Sequence, residues 1–205
     1  MAGTITALKI QKRNKERVNV FLDDEFALAV TLMVATTLRK GQHLSDQEIE
    51  TLKVQDDQDK GYDRALNFLS FRPRSRTEVA RYLHGKGYDE ATTEAIIERL
   101  VVKQYIDDEA FARFWLENRE QFKPRGERAL RYELRQKGVP DEVINRILTD
   151  VDEDELAWAA IESKLPRWEG LAEDALKKKV FGFLSRRGFG YDVVNQVFER
   201  IQASE

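Results

Sequence analysis

The chain has 205 residues, 41% apolar and 35% charged, so it is long enough to bury a sizeable core and is not expected to be disordered. The absence of cysteine excludes disulfides and thiolate chemistry, and 34 basic against 37 acidic residues give a net charge of −3, which excludes a uniformly basic DNA binder. Because no apolar run reaches membrane-spanning length and no signal segment is evident, we expect a cytoplasmic protein without membrane contact.

The first thirty residues predict a small β-meander of two or three strands. Apolar residues alternate over 5–10 and again over 18–22, with a polar break between them. A further apolar run, 26–30, comes after Asp23 and Asp24. Because so small a sheet is marginal alone, we expect it to pack on the helices that come after it in the chain.

A helix start is predicted at Ser45, where Ser45 to Glu48 has the form of a capping box. The short helix carries Ile49 and Leu52 and completes an N-terminal unit over residues 1–54. The polar stretch 55–61 is predicted as an acidic linker.

Residues 62–205 contain an internal repeat. Each copy predicts a helix with apolar i, i+4 positions, a base in its last turn and a glycine that ends it in the left-handed conformation. The glycines are 51 and 50 residues apart. The three copies are Val79-x3-Leu83-x2-Lys86-Gly87, Leu130-x3-Leu134-x2-Lys137-Gly138 and Val180-x3-Leu184-x2-Arg187-Gly188.

A second predicted helix comes after each glycine, and helices opened by acids begin near Asp107 and Asp152. We therefore predict a mainly α protein: an elongated array of tandem three-helix repeats behind the β-meander. The predicted boundaries are 62–116 for the first repeat with its preceding helix, 117–165 for the second and 166–205 for the third.

No catalytic or metal constellation is evident. His43 and His84 lack ligand-spaced partners, and the Asp107-Asp108 pair is typical of a helix cap. There is no glycine-rich phosphate loop. We expect neither enzyme activity nor a cofactor.

Basic residues recur before the repeated helices, where Phe71-Arg72-Pro73-Arg74-Ser75 matches Phe122-Lys123-Pro124-Arg125-Gly126. Bases at helix starts are mildly unfavourable for folding, so we predict an anion-binding role, with each phenylalanine anchored in the core. Arg128, Arg131 and Arg135 lie on one helical face. The candidate contacts with DNA or a protein filament are Arg72, Arg74, Arg76, Lys123, Arg125, Arg128, Arg131, Arg135, Lys177, Lys178, Arg186 and Arg187.

The repeated aromatic residues are interpreted mainly as core. They lie at helical spacing among aliphatic residues, while Tyr82 and Tyr132 align between repeats and are expected to be partly exposed. The predicted core aromatics are Phe111, Phe114, Trp115, Trp158 and Phe198.

Several motifs occur in the order found in the RecX family of bacterial recombination regulators, which the chain resembles over nearly its whole length. They are Arg74-Ser75-x2-Glu78-Val79-x3-Leu83-x2-Lys86-Gly87, Tyr105-Ile106-Asp107-Asp108-x2-Phe111-Ala112-x2-Trp115, Lys123-Pro124-x-Gly126-x3-Leu130-x2-Glu133-Leu134-x2-Lys137-Gly138 and Arg187-Gly188-Phe189-x-Tyr191-Asp192-Val193. The Leu38-Arg39-Lys40-Gly41-x2-Leu44-Ser45 passage resembles the longer members.

The resemblance implies a non-enzymatic monomer that binds in the groove of the RecA filament on single-stranded DNA. There it would limit filament extension or promote disassembly, and so inhibit RecA ATP hydrolysis, strand exchange and co-protease activity in recombination, DNA repair and the SOS response. Single-stranded DNA and, weakly and with salt dependence, duplex DNA are the expected nucleic-acid partners.

Two other functions remain open from the residues alone. One is a helix-turn-helix DNA-binding regulator, which the short helices joined through glycine permit. The other is a helical-repeat scaffold that binds an acidic protein without DNA. A preferred duplex sequence would indicate the first, and a pull-down independent of DNA the second.

Overall fold

A computed structural model describes residues 1–203. The strands are β1 Gly3–Ile10, β2 Arg17–Leu22, β3 Glu25–Thr31 and β4 His43–Leu44. The helices are α1 Leu32–Ala35, α2 Asp46–Leu69, α3 Arg76–His84, α4 Glu90–Val102, α5 Asp108–Phe122, α6 Glu127–Gln136, α7 Asp141–Leu148, α8 Glu153–Ile161, α9 Glu173–Ser185 and α10 Tyr191–Gln202, with a 3-10 segment at Glu162–Arg167. Residues 1–71 and 80–105 form one compact unit, and residues 72–79 with those from 106 onward form a second.

The predicted β-meander is confirmed. Strands β1, β2 and β3 are consecutive and antiparallel, in register at Ile10↔Val18 and Val18↔Val30. A fourth strand that the sequence did not predict, β4, pairs with β1 at the other edge, giving the order β3-β2-β1-β4. One face of the sheet is buried, because alternate side chains such as Val18, Val20 and Val30 form a core with α1 and the start of α2.

The capping box is confirmed, because the Ser45 hydroxyl accepts from the Glu48 amide and the Glu48 carboxylate accepts from the Ser45 amide. The prediction of an acidic linker over 55–61 is wrong, since α2 runs without a break through these residues. The acids here are paired instead of solvated: Asp56 binds Arg17 of β2, and Asp59 lies 2.7 Å from an Arg99 guanidinium nitrogen. Their charge is therefore compensated within the fold.

Gly61 allows α2 and α4 to approach closely. A Cβ atom at this position would meet the end of the Ile96 side chain in α4, so Gly61 serves close packing and does not end the helix. Near the end of α2, the rings of Phe68 and Tyr82 stack with centroids 4.2 Å apart. Tyr82 is thus half-buried against an aromatic partner.

The repeated helices and their left-handed stops are confirmed. Gly87, Gly138 and Gly188 have φ of +91°, +77° and +89°, a conformation that glycine adopts without a Cβ clash. Asp107 caps α5 by accepting from the amides of Glu109 and Ala110, as the pair of acids predicted.

In the second unit, the acid-opened helix begins each three-helix group. α5 packs against α6 and α7, and α8 packs against α9 and α10. The predicted boundary between 116 and 117 therefore falls inside α5, and that between 165 and 166 falls inside the 3-10 segment.

One continuous apolar core runs through α5 to α10. Phe111 and Phe198 are buried in it, and the half-buried Trp115 and Trp158 pack against it, in agreement with their interpretation as core residues. Phe114 is half-buried but does not pack against this core. Within residues 1–203, no helix has both the length and the apolar character that a membrane span requires.

Candidate nucleic-acid and filament interface

The two basic segments before α3 and α6 lie at equivalent junctions of the second unit. Ser75, which is fully buried, donates from its hydroxyl to the Lys137 carbonyl oxygen at 2.5 Å and accepts from the Glu78 amide at 3.1 Å. Lys137 comes directly after the last turn of α6, where the helix leaves carbonyls without internal partners. The segment before α3 thus caps the end of α6.

The second junction uses the backbone in place of a serine. The Gly126 amide donates to the Arg187 carbonyl at 3.0 Å, and the Arg187 guanidinium donates back to the Pro124 carbonyl at 3.1 Å. Gly126 corresponds to Ser75, and Arg187 to Lys137. Residues of each repeated motif therefore bind the Lys/Arg-Gly end of the next repeated helix.

The starts of α3 and α6 receive carboxylates from the chain itself. The Arg76 amide donates to Asp108 at 2.8 Å, and the Glu127 amide donates to Glu153 at 2.8 Å. Burial raises the pKa of both the Asp108 and the Glu153 carboxyl. At each helix start, an internal acid thus occupies a position where the sequence suggested an external phosphate.

At the first junction, Arg72 and Lys137 bind the same carboxylate. Both Arg72 terminal nitrogens donate to Glu78 at 3.0 Å, and Lys137 Nζ lies 2.7 Å from it. Burial alone would raise the pKa of Glu78, but these hydrogen bonds together outweigh it and hold the pKa below its ordinary value. The adjacent Arg74 is half-buried, and its burial together with nearby Arg72 lowers its pKa.

The second junction is also partly neutralised. Glu133 accepts from Arg119 at 2.6 Å and from the Trp115 indole at 2.9 Å, and Arg125 lies 3.8 Å from the same carboxylate. Burial, together with neighbouring Arg125, lowers the pKa of Arg187. These arginines therefore act first as structural groups of the junction.

Ion pairs interrupt the predicted arginine stripe on α6. Arg131 donates to Glu127 at 2.7 Å and to Asn145, while Arg135 donates to Asp141 at 2.6 Å and has its pKa raised by that bond. Arg128 is exposed, and residues 1–203 supply no acid within ion-pair distance of it; the same is true of Lys123.

The third basic cluster lies on α9 and just after it. Lys177 Nζ lies 5.8 Å from the Phe181 ring centroid and 5.6 Å from that of Phe198. Lys178 and Arg186 are exposed and form no ion pair with any acid of the described chain. The half-buried Arg76 completes the set of predicted residues, with its backbone amide bound to Asp108.

The expectation that Phe71 and Phe122 anchor their segments in the core is wrong. Their exposed fractions are 76% and 71%, because each lies at or just beyond the end of a long helix, where its ring faces solvent. Tyr132 on α6 is 65% exposed. The sequence predicted the exposure of Tyr132 but not that of Phe71 and Phe122. The only signal for the two phenylalanines was the position of each directly before a base.

A cleft of about 550 Å³ lies in the second unit between α5, α7 and α8. Its walls carry both bases and acids, among them Arg113, Glu117, Asp150 and Glu155, and do not form a nucleophile–base pair. Among the described residues, no group of three or more potential metal ligands is found.

Four family models match the chain in order. They are the "Regulatory protein RecX N-terminal domain" at residues 3–45, and "RecX, first three-helix domain", "second three-helix domain" and "third three-helix domain" at residues 62–100, 107–148 and 152–198. The second and third three-helix domains correspond to α5–α7 and α8–α10.

Curated relatives named "Regulatory protein RecX" include those of Bacillus licheniformis and Bacillus subtilis strain 168, each 34% identical to this chain. The alignments cover 95% and 97% of this chain and 76% and 77% of those proteins. The Clostridium botulinum (strain Eklund 17B / Type B) relative is 31% identical over 94% of this chain and 93% of its own length.

Two solved structures are similar to the chain. "Crystal structure of regulatory protein RecX" matches with a TM-score of 0.81 and 28% identity, covering 96% of this chain and 99% of that one. The structure of RecX from Lactobacillus salivarius matches with a TM-score of 0.66 and 25% identity, over 72% and 98% of the two chains.

Proposed function

The chain belongs to the RecX family of regulatory proteins, and we propose that it is a negative regulator of the RecA recombinase. It binds in the groove of the RecA filament on single-stranded DNA and limits filament extension or promotes disassembly. RecA ATP hydrolysis, strand exchange and co-protease activity fall as a result, and with them recombinational DNA repair and the SOS response. The protein acts as a cytoplasmic monomer, without catalytic chemistry of its own.

The observation that carries this proposal is the ordered match to the N-terminal domain and to all three three-helix domains of the family. A regulator that works by binding needs exposed charge, and the repeats carry it. Their helices are joined by internal caps, which leave a subset of bases free for a partner.

Of the twelve predicted bases, we place the primary contacts on the exposed ones that have neither an acid partner nor an aromatic contact among the described residues. They lie before α6, in its first turn, on α9 and just after α9, and they are Lys123, Arg128, Lys178 and Arg186. The other eight predicted residues serve first in packing and ion pairs, and contribute to the field around this set: Arg72, Arg74, Arg76, Arg125, Arg131, Arg135, Lys177 and Arg187.

The direct test titrates the protein into preformed RecA filaments on single-stranded DNA and follows ATP hydrolysis. Inhibition at or below one protein per RecA subunit supports the proposal. Unchanged hydrolysis at stoichiometric amounts would refute it.

A charge-reversed variant tests the contact surface. Lys123→Glu with Arg128→Glu should raise the concentration for half-inhibition about tenfold, since two exposed charge contacts contribute about 0.7 kcal/mol each. The matched control reverses Arg39 and Lys40, an exposed Arg–Lys pair in the first unit. Equal effects of the two double variants, or no effect of the first, would show that the contact surface lies elsewhere.

A further inference from the structure

The loop that joins β1 to β2 is the most basic exposed segment of the N-terminal sheet. It spans residues 11–16 and carries Lys12, Arg13 and Lys15, all of which are exposed. None of the three lies within ion-pair distance of an acid in residues 1–203. The hairpin tip therefore presents three basic side chains against the single carboxylate of Glu16, a net charge of +2 in a protein whose net charge is −3.

Glu16 offsets only one of the three positive charges and forms no ion pair with them, and the other acids of the same sheet cannot neutralise this tip. Arg17, at the base of the loop, is already paired with Asp56 of α2, whereas Asp23 and Asp24 lie in the turn at the far end of β2. A six-residue strand spans about 20 Å, which is more than twice the Debye length of about 8 Å at physiological salt. The tip is thus electrostatically separate from the acidic turn.

We propose that this hairpin tip is a nucleic-acid contact that binds the phosphodiester backbone through Lys12, Arg13 and Lys15. An interface with nucleic acid is polar and positively charged, whereas the core of a protein–protein interface is depleted in lysine and rich in apolar side chains. Residues 12–16 include no apolar side chain. A two-stranded ribbon also fits the major groove of a duplex, which is about 12 Å wide.

The hairpin binds without reading base sequence. The Gln11 side-chain amide donates to Asn19 at 2.7 Å, so these two amides at the base of the loop bind each other. Asn14 accepts from the Glu16 amide at 3.0 Å and so holds the loop in shape. Single-stranded and duplex DNA share the phosphodiester chemistry and are both ligands. The contact does not depend on the proposed action on RecA.

Anisotropy of two labelled DNAs tests this contact without RecA. The full-length chain is titrated into a 20-nucleotide oligothymidylate and into a 20-base-pair duplex, each over a range of salt concentrations. Lys12→Gln with Arg13→Gln is compared with the control Arg39→Gln with Lys40→Gln, an adjacent Lys–Arg pair that is also exposed and lacks an acid partner within the described chain. Neither pair is buried, so both variants should fold.

The hairpin variant should lower the slope of log Kd against log salt by about 1.4 for the single strand and about 1.8 for the duplex, because two phosphate contacts are lost. A loss in one arm alone identifies that form of DNA as the ligand. Equal losses in the control, or unchanged slopes for both DNAs, overturn the proposal. A separate RecA-binding measurement on the same variant completes the test: weakened RecA binding with intact oligonucleotide binding overturns the proposal and indicates an acidic protein surface as the partner.

Discussion

Replacing Gly126 by alanine tests how the second and third repeats are joined. Gly126 has φ −72° and ψ 162°, which any residue can adopt, so backbone conformation does not require glycine here. The constraint is space: an added Cβ would lie 2.5 Å from the Gly188 carbonyl carbon and oxygen, and would also meet the Phe189 amide nitrogen. All three are backbone atoms, which cannot move aside by changing a rotamer.

The expected loss of stability comes from this geometry. Overpacking a well-packed site costs about 1–3 kcal/mol, and we expect about 3 kcal/mol because the whole Arg187–Phe189 turn must shift. The shift would also weaken the hydrogen bond from the Gly126 amide to the Arg187 carbonyl. For a chain of this size, such a loss lowers Tm by about 10 °C.

Gly190→Ala is the matched control. Gly190 caps α10 with φ −69° and ψ 162°, and nothing lies within 4 Å of an added Cβ. The effects of the substitution on the unfolded chain and on helix capping are thus nearly equal in both variants. Urea unfolding followed by tryptophan fluorescence reports on the second unit, which contains this junction, since all three tryptophans belong to it. Equal midpoints for the two variants would refute the close junction.

Three further substitutions test other internal contacts. Asp108→Ala should lower the free energy of unfolding by about 1–3 kcal/mol by leaving the part-buried Arg76 amide unpaired, whereas Asp108→Asn keeps an acceptor. Because burial raises the pKa of Asp108, the stability from this group is present below pH 3.8 and is lost as pH rises through the folded pKa. In urea denaturation at a series of pH values, the free energy of unfolding of Asp108→Asn should therefore rise relative to that of the wild type above that range. A difference that stays constant with pH would contradict this. Asp56→Ala should destabilise the first unit by about 3–5 kcal/mol, because it leaves the Arg17 guanidinium largely buried and unpaired. The double variant Arg17→Met with Asp56→Leu should recover most of this loss when unfolding is followed by circular dichroism. Equal stability of the single and double variants would contradict this. Ser75→Ala should lower the urea midpoint by removing a hydroxyl that bonds twice, and an unchanged midpoint would argue against that role.

The linker prediction shows where reading composition along the chain fails. Residues 55–61 are polar and acidic and end in glycine, a pattern typical of a loop. They are helical, and Asp56 and Asp59 meet Arg17 and Arg99, which lie about 40 positions away in sequence, while Asp56 also pairs with Lys60 one turn further on. A Cβ atom at Gly61 would meet the Ile96 side chain of α4. No local pattern records the distant partners.

The repeats could be predicted because the interactions that define their helices join residues close together in sequence. The capping box at Ser45, the acid cap at Asp107 and the left-handed stop at Gly138 each involve residues within a few positions, so the sequence alone determined these helix ends and the tandem order of the repeats. The first three N-terminal strands could be predicted for the same reason, because the alternation of apolar and polar residues along one strand indicates its buried face.

Tertiary structure decided which basic side chains remain available to a partner. Arg72 and Lys137 lie 65 positions apart and share Glu78, while Arg128 has no such acid among residues 1–203, yet all three are bases of the same repeat pattern. Charge compensation depends on distances of a few ångströms between groups remote in sequence. For that reason the sequence could assign bases to the repeats, and only the folded chain could separate those that hold the repeats together from those that face solvent.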